Sequence, residues 1–361
     1  MAAGIYCFQP YCVTGELDPP ENPAIEPIFC VRFNDLDNIG LTGRHYSGFV
    51  MLGIHVFNKP ENYIFFKEEC VEFNYRWLTE ELKIDPEEIT FVEDIWAGGG
   101  NMGPSVEYFI HGLELGNMVF MQYKYDNEGR YEELPVKVID VGIGLERIPW
   151  LINGSATSYT EVFHHAFPFL NEALEIKMDN EIWKKLGPYT SRLDIDESEN
   201  IEKTWEDISA LVNLPVEAVK KAIEPIKELF VILDHTRTAF IIIQDGGLPS
   251  NAGGGSNLRN IIRRVFAIMK KNGWWEKIGK LEGFLKLFEE HKRDLEKIFG
   301  PFAEYKSFGD IIRIEYERWS STEAGHKKKL EQMLSKTKGK LTLDQWIMAM
   351  ESWGIPADAI A

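Results

Sequence analysis

Cysteine is scarce in this 361-residue chain, and all four sit early: Cys7, Cys12, Cys30 and Cys70, with no C-x-x-C pair. That spacing excludes a zinc ribbon and a disulfide framework, and it fits a reducing compartment. The eight histidines include no H-E-x-x-H and no His-x-x-x-His spacing, so no metal site is legible. No apolar run approaches the ~18 residues that a membrane span requires. The opening MAAGIYCFQP lacks a basic region followed by an apolar stretch, so the expected location is the cytoplasm. Basic charge is short as well: 39 Lys and Arg against 57 Asp and Glu leave a net charge of −18. Any contact with nucleic acid must then use a local basic face. The phosphate-loop pattern G-x-x-x-x-G-K-[ST] is absent, because Gly279-Lys280 and Gly339-Lys340 both run into Leu. A dinucleotide loop fails too, since Arg147 stands where a third glycine would follow Gly142 and Gly144.

What is present reads as a globular protein long enough for two or three domains, with 44% hydrophobic and 27% charged residues. Residues 1–150 carry runs rich in Val, Ile and Phe, namely IFCVRF, GFVMLGIHVF, EYFIHGLELG, NMVFMQY and PVKVIDVGIG, with a helix predicted near 68–83. From about 160 the helical period dominates, over 202–213, 215–233, 256–271, 278–298 and 309–335, with breaks at 196–198 and 246–249. An α+β domain followed by a mostly helical one fits this order, and no βαβ alternation points to a parallel sheet.

Three clusters carry the chemistry. VIDVGIGLER (138–147) ends a strand in two glycines and a Glu-Arg pair, giving close backbone approach and a guanidinium fork suited to phosphate. VRFNDLDNIGLTGRHYSGF (31–49) reads as two hairpin strands, Arg32 on one and Arg44-His45 on the next, with Phe49 offering a ring for stacking. DIWAGGGNMGPSVEYFIHGLELGNMVFMQY (94–123) sets three glycines beside Trp96 and places Asn117 at the head of an apolar run.

Together with FQPYCVTGELDPPENP near the start and LPSNAGGGSNLRNIIRR at 248–264, these clusters resemble, in order and at family spacing, the archaeal-type alanyl-tRNA synthetases of class II. The resemblance implies a class II antiparallel sheet flanked by helices. It also implies an aminoacylation domain over 1–160 and a helical acceptor-stem recognition domain over 161–361. The implied activity is ATP-dependent activation of alanine and its transfer to tRNA(Ala). Arg32 and Arg147 would be the catalytic arginines, on the α- and γ-phosphates, with Arg44 and His45 nearby and Phe49 on adenine. Trp96, Asn117 and Asp140 would enclose alanine, Asp140 taking its ammonium. Asn251, Arg259, Arg263, Arg264 and Glu351 would meet the tRNA. The basic stretch 246–275 contains no acid, and the lysines of 326–340 form a second candidate phosphate patch. ATP and Mg²⁺ are the expected cofactors, the Mg²⁺ ligands being unassigned, and no zinc is expected. The expected partners are L-alanine and the acceptor stem, with no membrane.

The chain departs from the family pattern by starting inside motif 1 and by stopping before the editing and C-terminal regions. Val50 and Val141 also replace a Glu and a Thr, and are expected to remove polar groups beside the ligand. These departures leave three readings: a ligase core, active alone or as half of a split enzyme completed by a second chain; a weakened paralogue that mainly binds RNA or a partner; and an aminoacyl-adenylate enzyme serving a non-tRNA acceptor.

Overall fold

The computed structural model describes residues 3–126, 128–195, 198–336 and 341–353. Among them, β1 (Ala24–Val31), β2 (Gly48–Asn58), β3 (Ile89–Gly98), β4 (Asn101–Ile110), β5 (Leu113–Tyr125) and β6 (Tyr131–Gly144) form one sheet in the order β1-β2-β6-β5-β4-β3. Every neighbouring pair is antiparallel, as expected for the α+β, class II-like arrangement. The run EYFIHGLELG is a hairpin rather than one strand. His111 (φ 51°) and Gly112 (φ 82°) both take left-handed backbone, the geometry that turns a strand tightly back on itself. The edge strand β3 has no counterpart among the predicted runs.

Side chains alternate between the two faces of a strand, so the register sorts the sheet into a front and a back. The back packs Val56, Met118, Phe120, Ile139, Val141 and Ile143 against Cys70 and Leu78. Cys70 belongs to the helix Lys67–Arg76, which continues as a π-helical turn over Trp77–Glu81, where a helix near 68–83 is expected. The front holds Met51, Gly53 and His55 of β2 opposite Gly144, Gly142 and Asp140 of β6, with Asn117 of β5 opposite Gly142. One end of this face is closed by Ile5, Phe8 and Val13, which pack on Val119, Met121 and Val138. The other end remains accessible.

The chain divides into two compact units, Met1–Ile241 with Lys286–Phe302, and Ile242–Leu285 with Ala303–Ala361. Residues 161–241, expected in the helical domain, lie in the first unit with the sheet. The cause is the helix Val216–Gln244, whose Phe230 stacks on Tyr159 at 4.6 Å between ring centres and meets Phe167 at 5.9 Å and Trp183 at 6.2 Å. The second unit has its own aromatic centre. Phe266, on the helix Gly253–Lys271, lies 5.2 Å from Tyr316, 5.5 Å from Phe284 and Trp319, and 5.8 Å from Trp275. Among the described residues no helix is long and apolar enough to cross a membrane.

One buried histidine gives the first unit a pH signature. His291 is wholly buried, with Nε2 2.8 Å from the Thr236 hydroxyl, and burial assisted by Arg237 holds its pKa well below 6.5. The unfolded chain therefore binds a proton that the native chain refuses. Its contribution is complete above pH 6.5 and is lost as pH falls below that value. In paired melts, His291→Gln is expected to flatten the decline in stability between about pH 7 and 5, by at most about 1.4 kcal/mol per pH unit. Parallel curves for parent and variant would show that His291 is protonated in the native state.

Candidate active site

Arg32 follows directly on β1; its N–H donates to the Ser47 carbonyl at 2.9 Å, and its guanidinium stands 5.0 Å from the centre of the Phe49 ring. Arg44 and His45 were expected on the next strand. They lie instead in the turn-rich loop before β2, because that loop is anchored inward. Gly40 (φ +76°) packs so closely that a Cβ would lie 2.5 Å from the Lys227 carbonyl oxygen. The Tyr159 hydroxyl accepts the Gly40 N–H at 2.8 Å and donates to the His45 carbonyl at 2.5 Å. Asp194 then gathers the loop: it accepts from Asn38 at 2.9 Å and lies 3.8 Å from His45 Nε2 and 3.9 Å from Arg44 Nη2. His45 Nδ1 is 2.6 Å from the Thr42 hydroxyl. Burial outweighs the pull of Asp194 and lowers the His45 pKa, so this imidazole is neutral at pH 7. Positive charge at this end of the front face comes from Arg32, Arg44 and Arg147.

Arg147 opens the short helix Arg147–Asn153, and Gly144 leaves room for its stem, since a Cβ there would lie 3.2 Å from Arg147 Cδ. Its Nη1 donates to the Glu114 carbonyl at 2.5 Å and to the Glu114 carboxylate at 3.0 Å. The preceding residue turns the other way. Glu146 is buried, where Oε1 accepts the Val50 N–H at 2.7 Å and Arg237 Nη2 at 2.5 Å. Arg237 also donates to the Gly48 carbonyl at 2.9 Å and lies over the rings of Phe29, Tyr46 and Phe163 at 5.3–5.5 Å. Three residues earlier on the same helix, Asp234 accepts the Ser47 N–H at 2.9 Å and the Ser47 hydroxyl. One helical turn thereby holds the start of β2 and the end of β6.

Further along the front face, Asp140 stands between Val119 of β5 and His55 of β2, and Asn117 pairs with Gly142. A side chain at 142 would meet Met51 Sδ at 3.0 Å and Asn117 Oδ1 at 3.2 Å, so this glycine opens the floor between them. Trp96 lies on β3 and packs beside the cluster containing Val119 and Met121, its ring over Gly98, where a Cβ would come within 2.6 Å. Val50 and Val141 point away from the face that carries Phe49 and Asp140. Phe49 and Asp140 face the front, so their successors face the back, where Val141 joins the apolar core and Val50 is buried opposite Phe29. Neither side chain borders the front face.

In the second unit, Arg259 and Arg263 converge on one buried carboxylate, with Nε atoms 3.1 Å and 2.6 Å from Glu315 Oε1. A stretch with no acid in its sequence thus acquires one through folding. Arg259 Nη1 also donates to Asn251 Oδ1. The helix begins at Gly253 with Ala252 as its N-cap residue, so Asn251 does not cap it. Asn251, Arg259, Arg263, Arg318, Ser321 and Thr322 line a cleft of about 640 Å³. Arg264 is half-buried on the same helix. Lys270 pairs with Glu323. Glu351 falls near the end of the helix Leu343–Trp353, and its side chain, like Lys338 and Lys340 of the second basic stretch, lies outside the described residues. Among the described residues no group of three or more His, Cys, Asp or Glu is placed to hold a metal ion.

The family described as tRNA synthetases class II (A) matches the chain over residues 1–361. An alanine–tRNA ligase of Methanocella arvoryzae is 40% identical over 360 residues, covering 100% of this chain and 40% of that protein. A ligase of the same name from Pyrobaculum aerophilum is 33% identical over 370 residues with the same coverage. One from Nitrosopumilus maritimus is 37% identical over 337 residues, 93% of this chain and 37% of its own length. The chain spans about 40% of the length of the first two relatives.

The Glu146–Arg237 pair predicts a specific stability pattern. Removing one partner leaves the other charge buried and unpaired, so Glu146→Gln or Arg237→Met is expected to cost about 3–5 kcal/mol in denaturant unfolding. The double variant Glu146→Gln/Arg237→Met should cost clearly less than the sum of the two. Additive losses would show that the two residues act independently.

Proposed function

The chain belongs to the class II tRNA synthetases (A), and from that premise we propose that it is an alanine–tRNA ligase core that activates alanine with ATP and passes it to tRNA(Ala). The supporting observation is one face of the sheet that carries Arg32, after β1, with Phe49 of β2, and also Asp140 of β6 with Asn117 of β5. In this reading a carboxylate oxygen of alanine attacks the α-phosphorus of ATP. An O–P bond forms, the bond to the bridging oxygen breaks, and pyrophosphate leaves. No protein nucleophile is required, so catalysis rests on positioning and on cations that meet the developing charge.

Arg32 holds the α-phosphate, Phe49 stacks on adenine, and Arg147 and Arg44 meet the outer phosphates, with Glu114 and Asp194 orienting those two cations. Neutral His45 contributes hydrogen bonding rather than charge. Asp140 takes the ammonium of alanine, and Asn117 and Trp96 bound the small pocket. Mg²⁺ enters as part of the substrate, held mainly by the phosphate oxygens. A hydroxyl of the terminal adenosine of tRNA then attacks the carbonyl carbon of the adenylate and AMP departs. The placement of Val50 and Val141 in the back of the sheet leaves this face unaltered by them. The same reading assigns the protein to the cytoplasm.

For tRNA, the cleft around Asn251 in the second unit is the proposed acceptor-stem contact. Arginine only donates, so the Arg259 bond fixes Asn251 Oδ1 inward and presents the amide NH₂ outward, a donor suited to a base-edge acceptor in a wide RNA minor groove.

Alanine-dependent ATP–pyrophosphate exchange tests the first step. Arg32→Ala should lower it about 10²-fold or more. Asp140→Asn should raise the KM for alanine by about 10-fold or more with little change for ATP, the loss of one charge-assisted bond. Exchange at parental values in both variants would sink the assignment. For the stem, Asn251→Asp keeps the acceptor for Arg259 and removes the outward donor. Minihelix binding should lose its preference for the alanine acceptor-stem pair while the melting temperature stays unchanged. Preserved discrimination in that variant would remove Asn251 as the reader.

A further inference from the structure

His55 is the one fully buried histidine on the front face, and the reading of the site so far gives it no task. It sits directly across from Asp140 in the β2–β6 register, with Nε2 3.0 Å from Asp140 Oδ1 and Nδ1 3.7 Å from Glu26 Oε1 of β1. Its ring is enclosed. Phe8 lies 4.7 Å away between ring centres, and Gly53 folds beneath it so closely that a Cβ there would lie 2.5 Å from His55 Cε1. Gly4 covers the outer side, where a Cβ would lie 3.5 Å from Nε2. Two glycines thus keep space for a side chain wedged between two carboxylates.

The groups of the cluster approach closely but are poorly aligned for hydrogen bonding. Both His55 nitrogens, Asp140 Oδ1 and Glu26 Oε1 are buried without an in-line hydrogen-bond partner among the described residues. Four such atoms in one place are costly, and an apolar residue in a pocket already walled by Phe8 would fill the space without that cost. Retained polar groups of this kind point to a demand on Asp140 itself.

We propose that His55, backed by Glu26, is a positioning residue that fixes the Asp140 carboxylate, turning Oδ1 inward and leaving Oδ2 for the ammonium of the amino-acid substrate. The inference rests on the assignment of Asp140 to that ammonium. His55 touches no substrate atom, so its effect is confined to amino-acid affinity and leaves ATP binding and the chemical step untouched.

The test uses the full chain in alanine-dependent ATP–pyrophosphate exchange, with calorimetric titration of alanine beside a non-hydrolysable ATP analogue as a second readout. His55→Phe removes both nitrogens and keeps the volume, Gly53→Ala displaces the ring, and His55→Gln keeps a donor toward Asp140. His55→Phe and Gly53→Ala should each weaken alanine by about tenfold, with KM for ATP and kcat within about twofold. His55→Gln should recover most of the loss. Equal damage to alanine and ATP, or no change for alanine, overturns the proposal. Asp140→Asn separates the two levels. If it weakens alanine while the His55 and Gly53 variants are silent, only the positioning role falls. If Asp140→Asn is silent as well, or the parent binds no alanine, the assignment of the site falls and takes this inference with it.

Discussion

Glu146 and Arg237 form a buried ion pair from which the rest of the front face hangs. A carboxylate and a guanidinium taken out of water are costly, and their mutual attraction offsets that cost only with good geometry and further partners. Here Glu146 Oε1 also accepts the Val50 N–H, and Arg237 also donates to the Gly48 carbonyl. Three aromatic rings face the guanidinium and add attraction without competing for its hydrogens. The pair ties together three segments that are distant in sequence: the entry to β2, the exit from β6, and the helix Val216–Gln244. Arg147 follows Glu146 directly, and Phe49 lies between Gly48 and Val50, so two of the residues proposed to meet ATP are next in sequence to this clamp.

A second constraint is the strict alternation of the strands. The same six strands build an apolar back and a polar front, and a step of one residue changes which of the two a side chain serves. Asp140 and Val141, or Phe49 and Val50, are neighbours in sequence and strangers in environment. This explains how the chain carries apolar residues beside the candidate ligands without altering the face those ligands would occupy. It also explains the glycines at 53 and 142, where a front-facing side chain would strike His55 or Asn117.

The strands rich in Val, Ile and Phe are legible from their runs, and the helix over 256–271 from its period. The resemblance to class II synthetases, carried by ordered motifs, is borne out. The edge strand β3 escaped because Thr90, Phe91, Val92, Glu93, Asp94 and Ile95 are mostly exposed on both faces, so no alternation marks it. The groups that tune the site were hidden for a different reason. Asp194 lies 156 residues from Asn38, Glu146 lies 91 from Arg237, and Glu315 lies 56 from Arg259. Linear spacing carries no trace of such meetings. A tract free of acids in the sequence is therefore partly offset in space, and two cations expected to grip phosphate, Arg259 and Arg263, share one internal carboxylate.

The first compact unit is discontinuous, and this bears on how the protein is made. Asp294 receives the N–H of His165 at 3.1 Å, and His291 lies 2.8 Å from the Thr236 hydroxyl, yet both come from the later segment 286–302. A chain emerging from the ribosome at about 5–20 residues per second must release all of 242–285 before those partners arrive. The sheet is therefore complete as sequence long before it is complete as a folded body. For seconds the nascent protein exposes a helical surface that only its own later residues cover, and that interval is when a chaperone has most to do.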